Sequence, residues 1–305
     1  MSHQLSVLPS RPEWAVEALR SVDVDPVPPD ENTEGLIWLG FHDPEGLIAA
    51  VRRLPALRWV QLPSAGVDDF VDAGALDPRI VWTSAKGAYA EPVAEHALTL
   101  LLAGLRQIPG RARATDWGVP AGTSLYGRRV LIVGAGGVAL ELVRLLRPFR
   151  SEITIVRRQA AEVADVHRTI TSSALADVLP TMDAVVLAAA MTSGTTSLID
   201  ASALASMPPH SVLVNVARGG LVDLEAVAAL PRGTGPASVL LDVTAPEPLP
   251  AGHPLWTDER VLITPHTADT WDMIRPLLAR RVAENAARFR RGLALIGEID
   301  LDHGY

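Results

Sequence analysis

Unbroken apolar runs dominate the second half of the chain, at 129–133, 152–156, 183–189, 211–217, 238–243 and 260–264, with helix-like stretches between them. Runs this rich in Val, Leu and Ile predict parallel strands buried on both faces, and their alternation with helices predicts a doubly wound sheet. The first half differs. Shorter runs at 35–39, 58–62 and 80–83 stand among helix-like segments and many prolines, which predicts a smaller α/β unit. The pattern changes near Tyr126-Gly127. Upstream of that change, 91–106 reads as a helix with Pro92 in its first turn, apolar on most faces and so expected to be buried between domains or subunits. A final amphipathic helix from about Asp272 stops at Gly292 and is expected to pack back on the first unit.

Parallel strands emerge along one edge of their sheet, and ligands of open α/β sheets bind at that edge. Polar residues just past the strands therefore matter most. Three late runs are followed by Arg218, Glu247 and His266, a combination that looks catalytic. The first run leads into Gly134-Ala-Gly136-Gly137-Val-Ala139, a glycine loop between strand and helix with Ala139 in place of the third glycine of a dinucleotide fingerprint. Gly134 suits the tight turn and Gly136 the close approach of a pyrophosphate, while Ala139, Leu142, Val143 and Leu146 share one helical face. The second strand ends in Arg157-Arg158, where an acid would hold the adenosine ribose of NAD. Two guanidiniums suit a 2′-phosphate, which points to NADP over NAD; the alternative is a solvated surface pair. Asp165 lies too far along the sequence to serve as the acid.

With 305 residues, 48% of them hydrophobic, the chain can fill two domain cores. A formal charge of -8 argues against nucleic acid and anionic lipid as partners and favours a small molecule. No apolar run approaches the roughly 20 residues that cross a bilayer, and the first residues lack a basic, then long apolar, leader, so a cytoplasmic protein is expected. The chain has no Cys, which removes disulfides, thiolate metal sites and a thiol nucleophile; no metal is expected.

The blocks at 213–223, 241–250, 253–256 and 263–268, with Ser64-Ala-Gly-Val-Asp-Asp69, Val93-Ala-Glu-His96 and the glycine loop, resemble the D-isomer-specific 2-hydroxyacid dehydrogenase family over nearly the whole chain. The sequence departs from the family pattern at Ala139, at Ala188-Ala-Ala190 and at Asp269, where a glycine is common. The resemblance implies a Rossmann cofactor domain at 96–274 and a smaller flavodoxin-like α/β substrate domain at 1–95 plus 275–305. It implies interconversion of a small 2-keto acid and its D-2-hydroxy acid, of glyoxylate or hydroxypyruvate type, in a homodimer joined through the long helix.

The same resemblance assigns roles that the chemistry accepts. His266 would be the acid and base, Glu247 its orienting carboxylate, and Arg218 the cation that binds the substrate carboxylate and polarises the keto oxygen. Backbone N–H groups of Ala65 and Gly66 would take the other carboxylate oxygen. The expected cofactor residues are Gly134, Ala135, Gly136, Gly137, Val138, Arg157, Arg158, Ala217 and Asp242, the last by holding the nicotinamide amide. Glu95 and His96 read as interdomain packing or hydrogen-bonding residues, and Trp38, Phe41, His42 and Tyr89 as pocket lining or core. A formate or phosphite type of dehydrogenase is a rival, weakened because the formate type carries Gln where Glu247 stands. A nucleotide-sensing protein like the corepressors that resemble this family is the rival from another class.

Overall fold

In the computed structural model, which describes residues 3–159 and 161–301, the apolar runs become strands of two parallel sheets. The chain divides into two units: residues up to Tyr89 together with those from Thr270 onward, and Ala90–Asp269.

The first unit begins with β1 Gln4–Leu8, α1 Glu13–Arg20, β2 Thr33–Trp38, α2 Pro44–Val51, β3 Trp59–Gln61, α3 Asp68–Asp72 and β4 Val81–Thr83. Its strands lie in the order β1-β2-β3-β4. A flavodoxin-type sheet has the order 2-1-3-4-5. The place of its second strand is taken here by the segment around Val27, whose N–H donates to Leu5 O at 2.9 Å while Ser6 Oγ donates to Val27 O at 2.9 Å. Pro26, Pro28 and Pro29 have no N–H to donate, which restricts the ladder to that single residue. Strand β1 was not expected from the sequence; it is a short edge run with Leu5 and Val7 buried.

The second unit contains α4 Ala90–Leu105, α5 Ile108–Arg113, β5 Arg129–Val133, α6 Gly137–Leu146, β6 Glu152–Val156, β7 Arg168–Ile170, α7 Leu175–Val178, β8 Ala184–Leu187, α8 Ala201–Ser206, β9 Val212–Asn215, α9 Leu224–Ala229, β10 Ser238–Leu241 and β11 Val261–Ile263. The strand order is β11-β10-β9-β8-β5-β6-β7, so the direction of winding reverses between β5 and β8. This is the doubly wound Rossmann order with one strand added beyond β10. The sheet is buried on both faces: the adjacent and so oppositely directed pairs Val185 and Val186, Leu213 and Val214, and Leu240 and Leu241 are all fully buried. Helix α6 buries Ala139, Leu142, Val143 and Leu146, the face read from the 3.6-residue period. Helix α4 belongs wholly to this unit; its Gly104 lies so close that a Cβ there would stand 2.6 Å from Val212 and 2.7 Å from Leu240.

The remaining helix, α10 Trp271–Arg290, belongs to the first unit. Asn285 Nδ2 donates to Gln61 Oε1 at 2.7 Å, and Arg281 Nη1 donates to Ser84 O and Lys86 O, both at 3.0 Å. The units therefore change over between elements, at Tyr89 and Asp269. The expected limits at 95/96 and 274/275 fall inside α4 and α10, each of which lies within a single unit. Among the described residues no helix is long and apolar enough to cross a membrane.

Candidate active site

Strands β9, β10 and β11 are neighbours, and the loops at their carboxyl ends carry Arg218, Glu247 and His266. After β9, buried Asn215 shapes the turn: its Oδ1 accepts the Ala217 N–H at 3.0 Å and its Nδ2 donates to Arg218 O at 2.8 Å. This fixes the backbone from which the part-buried Arg218 extends, and Nη1 of that guanidinium donates to Ala217 O at 2.8 Å. Gly219 lets this loop touch the one after β10, because a Cβ there would lie 2.0 Å from the Thr244 carbonyl. The loop that bears Glu247 is thus held beside the loop that bears Arg218.

His266 Nδ1 and Glu247 Oε1 are 2.6 Å apart. A carboxylate only accepts, so Nδ1 carries the hydrogen and Nε2 is left for proton transfer. Both side chains are partly open, at 46% and 42% exposure. The His266 backbone has φ +50°, a left-handed conformation uncommon for a residue with a side chain. Its N–H donates to Asp242 O at 2.8 Å and Thr264 O at 2.9 Å, and these bonds hold the conformation.

Asp242, at the end of β10, is buried and is the anchor of that loop. Its Oδ1 accepts the Thr264 hydroxyl at 2.6 Å and the Thr267 N–H at 3.0 Å, and its Oδ2 accepts the Ala268 N–H at 3.1 Å. Since the Thr264 hydrogen points to Asp242, His96 Nε2 must donate, from 3.0 Å to Thr264 Oγ1 and 3.2 Å to Asp242 Oδ1. Burial pushes the Asp242 carboxyl up, but the hydrogen bonds from His96, Thr264 and Thr267 outweigh it and hold the group at about 2. Asp269, three residues past His266, is part-buried. Burial pushes its carboxyl up, against the lowering pull of His266 and Arg218, while Asp242 adds to the rise.

At the switch point, Gly134 follows β5 with φ +118°, and a Cβ on it would lie 2.4 Å from Ala188 O past β8. A Cβ on Gly136 would meet nothing within 4 Å, so the loop has an open side there. Gly136 caps α6 without a side-chain hydrogen bond, which leaves the N–H groups of Gly137 and Val138 for an anion. These features fit a dinucleotide pyrophosphate. Beside them a cleft of about 380 Å³ is lined by Ala135, Leu140, Arg157, Glu162 and Asp165, among others. Asp165 thus reaches the same cleft as Arg157 despite its distance in sequence, and it pairs with Arg147 at 3.4 Å. Arg157 Nη1 makes a long contact of 3.4 Å to Ala161 O, and Arg158 follows it on the surface.

Ala65 and Gly66 lie in the first unit, in the loop between β3 and α3, where Ser64 O accepts the Ala85 N–H at 2.8 Å. Trp38 and Tyr89 are core residues bonded to Gly40 O and Pro63 O, whereas Phe41 is 37% exposed and His42 pairs with Asp69 at 3.0 Å. The residues that sequence reasoning did not place in the site are His96, Thr264 and Asp269. His96 had been read only as packing or hydrogen bonding, and no local signal links it to a threonine 168 positions away.

The switch-point glycine loop and the polar edge of β9 to β11 define a dinucleotide-binding α/β protein. Residues 97–268 match the NAD binding domain of the D-isomer specific 2-hydroxyacid dehydrogenases. An uncharacterised protein of Corynebacterium melassecola is 35% identical, covering 82% of this chain and 84% of its own length. Glyoxylate reductase of Pyrococcus furiosus is 30% identical over 78% of this chain and 74% of its own. A D-isomer specific 2-hydroxyacid dehydrogenase from Xanthobacter autotrophicus Py2, solved in complex with NADPH and MES, matches all of both chains with a TM-score of 0.85 at 26% identity. The chain spans 48% of the length of the D-3-phosphoglycerate dehydrogenase of Mycobacterium tuberculosis, which it matches at 32% identity. It belongs to the D-isomer specific 2-hydroxyacid dehydrogenase family, whose members use NAD(P).

Proposed function

We propose that the chain reduces small 2-keto acids of the glyoxylate or hydroxypyruvate type to D-2-hydroxy acids, with NADPH preferred over NADH. The observation that carries this reading is the 2.6 Å His266–Glu247 pair, on a loop pinned by Asp242, one strand loop away from Arg218. Reduction of a keto group needs a hydride at carbon, a proton at oxygen and a cation for the carboxylate. The bound dinucleotide supplies the hydride. His266 Nε2 delivers the proton to the keto oxygen, Glu247 accepts from Nδ1 and so orients the imidazole, and Arg218 binds the carboxylate and draws charge onto the keto oxygen. Asp242 positions the His266 loop and, by similarity to the family, would hold the nicotinamide amide.

NADPH preference rests on Arg157 beside the glycine loop in the cleft, with Arg158 next to it. The NADPH complex of the Xanthobacter relative agrees with it. Similarity to the Pyrococcus glyoxylate reductase supports the small substrate. In this reading a homodimer forms through the long-helix region, beside which Ile108, Trp117 and Val119 are exposed. Assays of glyoxylate, hydroxypyruvate, pyruvate and bulkier 2-keto acids with each cofactor test the proposal. Turnover should be fastest on the two smallest polar acids with NADPH. No turnover on any of them would remove the proposed activity, and a clear NADH preference would remove the cofactor assignment.

A further inference from the structure

Among the described residues, Asp269 is a carboxyl near the polar edge to which no role has been given. Its chain position is fixed, because the two residues before it, Thr267 and Ala268, are both bonded through their N–H groups to the Asp242 carboxylate. It is part-buried, yet its carboxyl has no hydrogen bond or ion pair with any described residue. The charged groups that act on it are His266 from the loop after β11, Asp242 from the end of β10 and Arg218 from the loop after β9. Two of those three are the proposed proton donor and carboxylate anchor. A half-buried carboxylate with no protein partner is costly to keep, and a ligand group that donates to it recovers that cost.

We propose that Asp269 reads the charge of the substrate beyond its reacting carbonyl. It accepts a hydrogen bond from a neutral hydroxylated tail or pairs with a cationic one, and it repels a tail that carries a second carboxylate, a sulfonate or a phosphate. The inference rests on His266 and Arg218 being the reacting centre. Arg218 must attract one carboxylate to bind any 2-keto acid, so attraction alone cannot tell a mono-anion from a dianion. A fixed negative charge near the same centre can, because it adds a repulsive element against the wrong partner.

The test compares kcat/KM for hydroxypyruvate and oxaloacetate with NADPH in the wild type and in Asp269→Asn, Asp269→Ser and Asp269→Glu. The oxaloacetate-to-hydroxypyruvate ratio should rise about tenfold or more in the Asn and Ser variants and stay within about threefold of wild type in the Glu variant. Two neutral replacements of different size separate loss of charge from loss of packing. A ratio that stays at the wild-type value in both neutral variants, while the wild type reduces hydroxypyruvate, overturns this inference and leaves the proposed activity standing. Failure of the wild type to reduce any 2-keto acid overturns both.

Discussion

Two histidine–carboxylate pairs lie at the carboxyl ends of β10 and β11, and they are built to opposite specifications. His266 and Glu247 are 2.6 Å apart and nearly half open, at 46% and 42% exposure. His96 and Asp242 are 3.2 Å apart and closed, at 19% and 1%. In the open pair Nε2 of the imidazole has no part in the contact with Glu247, so a proton can pass through it. In the closed pair Nε2 is used for structure and the carboxylate collects a hydroxyl and two backbone N–H groups. In the proposed function a histidine and a carboxylate therefore do chemistry where they are open, and the same pairing holds a loop where it is closed. The closed pair carries the open one, since Asp242 grips the residues on both sides of His266.

Substitutions can break this division of labour. The largest effect is expected from His266→Ala, which removes the proposed acid and should lower kcat on 2-keto acids by about 10²- to 10⁴-fold. Steady-state kinetics with a thermal melt check this, because the melting temperature should stay near wild type. Glu247→Gln keeps the shape and deletes the charge, for an expected loss of about ten- to a hundredfold in kcat, the worth of a charged hydrogen bond.

The closed pair should respond in stability first. Asp242→Asn is expected to cost about 2 kcal/mol at neutral pH, the size implied by a carboxyl lowered from 3.8 to about 2. The sign follows from the lowering. The folded carboxyl binds its proton less tightly than the unfolded one, so its stabilisation is complete above about pH 4 and is lost as pH falls through about 2. Denaturant melts between pH 5 and 2 should therefore fall more steeply for wild type than for the variant. The smallest effect belongs to His96→Ala, about 1 kcal/mol of stability and less than about tenfold in kcat, because Thr264, Thr267 and Ala268 still bond Asp242. A His96 variant as inactive as the His266 variant would erase the distinction between the pairs.

What was legible in the sequence follows the same line between local and distant. Strands β5, β6, β8, β9, β10 and β11 were readable because burial on both faces leaves unbroken Val, Leu and Ile. Strands β1 and β7 were not: polar Gln4 and Ser6 interrupt the five residues of β1, and Ile170 is the one apolar residue in the three of β7. Arg218, Glu247 and His266 stood out because each follows a strand within a long block. His96, Thr264 and the anchoring use of Asp242 were hidden because their meaning lies in pairings across 22 to 168 positions. Asp165 was set aside as the ribose acid on its spacing, and it lines the same cleft as Arg157, a neighbourhood that spacing alone did not reveal.

The central claim is that the open pair moves the proton in reduction of a 2-keto acid. Single-turnover reduction of glyoxylate by NADPH, followed at 340 nm (the NADPH absorbance, about 340 nm for any reduced nicotinamide) in wild type and in His266→Ala, tests it most directly. The account predicts rapid NADPH oxidation by the wild type and a rate at least about a hundredfold slower in the variant. An undiminished rate in the variant, with cofactor binding intact in both proteins, would contradict it.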